Sequence, residues 1–177
     1  MKAFAIVFVL TAGACVQAPD SPVDSETSLL PEVVRASLDK RLGTWSLAYP
    51  SDEVVDMLET HFGGRRQDLA LLRADFDGDD ELDIAVLVRQ QGKEKDTLHL
   101  LAFLRRGDSY KEYPLFTGSP SGDLYLRLAQ KGSRAHDFDA DRDFVYDHDT
   151  VVFCHFEKAA TSYVYKDGAF TAVLTED

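Results

Sequence analysis

The residues best suited to chemistry in this chain are the acids between Asp75 and Asp83, in the run Asp75-Phe76-Asp77-Gly78-Asp79-Asp80-Glu81-Leu82-Asp83. Acids fall at positions 1, 3, 5 and 9 of a nine-residue loop. A turning loop aims alternate side chains inward, so Asp75, Asp77 and Asp79 can converge and Asp83 can close the ring. The backbone carbonyl of Glu81, at position 7, adds a fifth oxygen. An all-oxygen cage of irregular shape suits Ca²⁺ better than Mg²⁺, which demands a near-ideal octahedron. The same carboxylates repel one another when no cation lies among them, so the ion's role is read as structural.

An EF-hand loop would need Gly at position 6 and an acid at position 12. Asp80 and Val86 stand there, and strand-like residues flank the loop where helices would be. The spacing resembles the calcium loops of FG-GAP and VCBS repeats, in which a β-hairpin carries Asp-x-Asp-x-Asp-Gly-x-x-Asp. The match holds at positions 1, 3, 5 and 9 and departs at the usual Gly, which is Asp80; Asp tolerates a left-handed backbone at some cost. A broader similarity is to single-domain bacterial envelope proteins of unknown function that end in a Tyr-x-Tyr-x-x-Gly-x-Phe hairpin, here Tyr163 to Phe170. That resemblance implies Ca²⁺ ligation by the loop and no enzyme activity.

Other acidic and basic groups are weaker candidates. His136 to Asp143 alternates Asp but has Val145 at position 9, and it reads as a solvated acidic loop. His136, His148 and His155 match no zinc spacing. Arg106-Gly107-Asp108 reads as a hairpin turn. Gly118 to Gly122 has Pro120 where a nucleophile elbow needs Ser, and neither a P-loop nor a Gly-x-Gly-x-x-Gly run is present. No acid pair is marked as lying in an apolar setting, so general acid–base catalysis has no support in the sequence.

The elements that must position the loop follow from periodicity. Val34, Leu38 and Leu42 recur at helical spacing after Pro31, and Val54, Val55, Leu58 and Phe62 do so after Ser51. Trp45, between the two, reads as a core anchor. From Asp68 onward the pattern is strands and tight turns. The expected fold class is α+β: two short N-terminal helices packed on an antiparallel β-sheet, covered on one face, with one Asp-rich metal loop in a β-hairpin. Cys154, in an apolar strand pattern, reads as a buried inert thiol.

The first residues, Met1-Lys2 followed by an apolar run to Ala14-Cys15, read as an export signal too short to span a bilayer. Gly13-Ala14-Cys15 resembles a bacterial lipobox, which implies that residues 1–14 are removed and that Cys15 is lipidated. Val16 after the Cys then implies the outer membrane in a double-membraned bacterium, with a soluble periplasmic form as the alternative. Residues 15–29, rich in Pro, Ser and acid, read as a flexible tether of ~20 Å mean reach. Residues 30–177 form one domain. A net charge of −12 across 177 residues excludes nucleic acid as a partner and an anionic membrane as a surface for the folded domain. The membrane is reached through the lipid anchor alone. The reading is therefore an exported, lipid-anchored Ca²⁺-binding protein that binds or scaffolds an envelope protein or polymer and is not an enzyme. The alternative is an envelope hydrolase using the metal or the carboxylates.

Overall fold

The computed structural model describes residues 28–63 and 65–177. The expected signal peptide, lipidated Cys15 and all but the last two residues of the expected tether lie outside the described residues. Helix α1 (Glu32–Leu42) begins at Pro31, with Glu32 in its first turn and Lys40 and Arg41 in its last, each favourable to the helix dipole. Strand β1 (Trp45–Leu47) follows, then α2 (Asp52–Phe62) and a 3₁₀ turn (Arg66–Leu69). The remaining elements are β2 (Leu71–Ala74), β3 (Asp83–Gln90), β4 (Thr97–Arg106), β5 (Ser109–Gly118), β6 (Leu124–Ala129), β7 (Arg134–Asp137), β8 (Arg142–Val145), β9 (Thr150–His155), β10 (Ala159–Lys166) and β11 (Ala169–Glu176).

The α+β expectation is overturned. Among the described residues the chain is mainly β, with 48% strand against 17% helix, and its strands form several antiparallel sheets rather than one. The first sheet runs β1-β3-β4-β5, and β2 also pairs with β3. Strands β1 and β2 take different stretches of β3: β1 pairs with Val88 to Gln90, and β2 with Asp83 to Val86. The second sheet runs β11-β10-β9-β6, and β7-β8 is a separate hairpin.

Burial explains the correction. Ile84 to Val88 and Leu98 to Leu104 are buried without alternation. A strand buried at every position needs cover on both faces. Val34, Leu38 and Leu42 of α1 supply part of that cover, each Val or Leu contributing about 2 kcal/mol when fully buried. The rest comes from the second sheet, whose Leu126, Val151 and Tyr163 join the same core. Helix α2 does not share this core; Val54, Val55 and Leu58 pack with Leu69 in a smaller cluster.

Strand β5 shows how both covers meet one sheet. Glu112 accepts from Ser37 and Arg41 of α1. Its neighbour Tyr113 turns the other way, onto Tyr165 and Phe170 of the second sheet. Phe116, three residues on, also reaches that sheet, at 4.9 Å from Phe153. A register shift between Leu100 and Leu101 leaves Leu115 as the extra residue, which returns Phe116 to the face of Tyr113. Trp45 is a core anchor, 8% exposed, and its indole N–H donates to Asp39 at 2.8 Å.

Candidate metal centre

The acidic loop joins β2 to β3 in an antiparallel hairpin. Phe76 anchors it. That side chain is 1% exposed, so the loop is pinned to the core between Asp75 and Asp77. Asp75 shapes the turn: one carboxylate oxygen accepts the N–H groups of Gly78 at 2.6 Å and Asp79 at 3.1 Å, and the other accepts that of Asp80 at 3.1 Å. Asp80 has φ 64°, the left-handed conformation that the resembled loops assign to Gly.

Asp83 closes the hairpin from inside the protein. It is fully buried, and its two oxygens accept the N–H groups of Phe76 at 2.8 Å and Arg105 at 2.7 Å. Burial pushes its carboxyl up to about 6, against the lowering effect of those two hydrogen bonds; the nearby charges of Asp77 and Asp79 push the same way as burial. A buried carboxylate raised in this way is relieved by a neighbouring cation.

Asp75, Asp77 and Asp83 each bring a carboxylate oxygen within 4.8 Å of the other two. Among the described residues this is the one group of three or more potential ligands that meets so closely. The Asp77 side chain is only 5% exposed, and its Oδ1 is buried with no hydrogen-bond partner among the described residues. An orphaned anionic oxygen in a buried setting is costly. Three carboxylates with lone pairs to spare fit a hard divalent cation in donor type and charge.

Asp79 and Glu81 point elsewhere. Asp79 Oδ1 accepts the N–H of Glu81 at 2.9 Å, and Oδ2 accepts from Arg106 at 3.0 Å. The Glu81 side chain turns toward Arg105, at 3.9 Å, and accepts the N–H of Gly107 at 3.4 Å. Of the four expected carboxylate ligands, the structure thus gathers Asp75, Asp77 and Asp83 and turns Asp79 toward Arg106; the fifth expected ligand is the backbone carbonyl of Glu81, whose side chain turns toward the β4–β5 turn.

Two residues outside the loop complete the setting. Arg106 donates to Asp77 Oδ2 as well as to Asp79, and the hydrogen bond to Asp77 leads the causes that raise its guanidinium above the ordinary range. The Arg106-Gly107-Asp108 turn therefore delivers a positive charge to the acidic loop, a role its sequence hides. His148 packs on Gly78, whose φ is +81°; a Cβ at Gly78 would run into the imidazole ring. The Nδ1 atom of His148 is buried and has no partner among the described residues.

The weaker candidates separate. Asp137 caps the β7–β8 turn by accepting from Ala140 at 3.0 Å, and His136 pairs with Asp143 at 2.9 Å. Cys154 is buried, and burial pushes its thiol up to about 11, which keeps it protonated and inert.

No protein-family model matches the chain, and no curated protein or solved structure does.

Proposed function

We propose that this chain is a Ca²⁺-binding β-domain of the bacterial cell envelope, exported and lipid-anchored through Cys15, in which the ion plays a structural part. Asp75, Asp77 and Asp83 hold the ion. It clips the β2–β3 hairpin and so stiffens the edge of the first sheet for binding or scaffolding an envelope protein or polymer. The observation that carries the reading is the buried, unpartnered Oδ1 of Asp77 beside two converging carboxylates. The likeness of the loop to FG-GAP and VCBS calcium loops supports the choice of ion.

The arrangement favours a structural ion over a catalytic one. A hydrolytic metal needs an open position facing a cleft. A cleft of about 370 Å³ lies elsewhere, lined by Leu58, the 3₁₀ turn, β2 and β6, and no acid of the loop lines it. The test is calorimetric titration of chelator-treated protein with CaCl₂. One site per chain is expected, abolished by Asp77→Ala. No heat of binding in the wild type would refute the reading. Loss of labelled palmitate from the Cys15→Ser protein in cells tests the anchor separately.

A further inference from the structure

The cleft between α2, the 3₁₀ turn, β2 and β6 joins apolar walls to an excess of basic over acidic lining residues. Its walls are apolar: Leu58 from α2, Leu69 from the 3₁₀ turn, Leu72 from β2, and Tyr125, Leu126 and Leu128 from β6. Burial pushes the Tyr125 phenol up to about 12, so this ring remains neutral. Three guanidiniums, Arg65, Arg73 and Arg127, also line the cleft, against a single acid, Asp68. In a chain of net charge −12 the lining residues are locally more basic than acidic.

The three cations are not equally engaged. Arg65 holds Asp68 in a forked pair at 3.0 and 3.1 Å. Arg127 pairs with Glu176. Arg73 donates to the backbone carbonyl of Leu29 and has no carboxylate partner among the described residues. A guanidinium presents a planar fork that matches a carboxylate, and only part of that of Arg73 is used.

The space also limits the occupant. Among the described residues, strands β2 and β6 are edge strands, each paired on one side only. They approach within 8 Å between Cα atoms. Inserting a further strand between them would need two strand spacings, about 9.5 Å. A slender ligand fits where an extended peptide does not, and the volume is that of a small-molecule site.

We infer that this cleft binds a single-chain amphiphile with a carboxylate head, its alkyl body between Leu72 and Leu128 and its head on Arg73. The site is independent of the metal loop and stands whether or not Ca²⁺ binds.

The probe is decanoate, titrated below its micelle concentration into the full chain and followed by amide chemical shifts. Saturable one-to-one binding is expected, with shifts confined to the 3₁₀ turn, β2 and β6. Arg73→Gln, an exposed change that leaves the core intact, weakens it about tenfold, the scale of one charged hydrogen bond. Decyltrimethylammonium, with the same chain and the opposite head, binds at least about tenfold more weakly. The proposal is overturned by absence of saturable binding, by equal binding of the cationic amphiphile or of decanol, or by an unchanged affinity in Arg73→Gln. It is also overturned if a peptide of residues 16–29 displaces decanoate, which would assign the cleft to the chain's own leading segment.

Discussion

Asp83 accepts the backbone N–H of Arg105 at 2.7 Å, just beyond the point where β3 and β4 stop pairing at Ile84 and Phe103. The carboxylate thus continues the ladder by one rung. Its other oxygen holds the N–H of Phe76 on the near side of the loop. One buried side chain therefore fixes both the acidic loop and the start of the turn that carries Arg106.

Asp83→Ala should be severely destabilising for that reason. Two N–H groups lose their acceptor inside the protein, and a loss of about 3 kcal/mol is expected. Urea denaturation in EDTA measures it. A loss below about 0.5 kcal/mol, the range of ordinary surface changes, would show that Asp83 is not a structural latch.

The same residue makes stability depend on pH. In the fold its carboxyl is raised to about 6, above the ordinary 3.8. Between those values the folded chain holds a proton that the unfolded chain releases. Stability from this group therefore rises as pH falls from about 6 toward 4 and is lost as pH rises through 6. Calcium opposes this, because the ion requires the charged form. Unfolding midpoints in EDTA, compared between wild type and Asp83→Asn, should show a downward slope with rising pH in that window for the wild type alone. Parallel profiles would contradict the assignment.

Arg106 and the ion compete for the same charge. Arg106 holds Asp77 and Asp79 together. Arg106→Gln should tighten Ca²⁺ binding roughly tenfold, since a positive charge no longer faces the dication. It should also lower stability in EDTA by about 1–3 kcal/mol, as Asp77 loses its charged partner. Calorimetry and melting in EDTA check the two effects. Weaker calcium binding in the variant would mean that Arg106 supports the site rather than rivals the ion.

Much of the centre was legible because its signal is local. Acids at alternate positions between two apolar runs specify a hairpin loop, and Asp75, Asp77 and Asp83 do converge. The turn of the Asp79 and Glu81 side chains toward Arg106 and Arg105 was not legible. It depends on β4 lying beside β3, a pairing that places Arg106 near a loop more than 20 residues earlier. The second sheet was missed for a similar reason. Leu98 to Leu104 carries a nearly unbroken apolar run, a sign of burial on both faces, but a single run does not say what covers it. Helix α2 added to the error: its stripe is regular, yet it packs on Leu69 rather than on the main core. His148 stood out only among the histidines, and its place on the acidic loop gave no sign, since its contact with Gly78 spans 70 residues and exists only after the β8–β9 turn has folded back.

The most direct test of the centre is the melting temperature of chelator-treated protein with and without millimolar CaCl₂, for wild type and for Asp77→Ala. At calcium a hundredfold above Kd, mass action adds about 2.7 kcal/mol and raises the wild-type midpoint by about 5 °C or more, while Asp77→Ala melts alike in both solutions. Superimposable wild-type curves would mean that no ion sits among Asp75, Asp77 and Asp83.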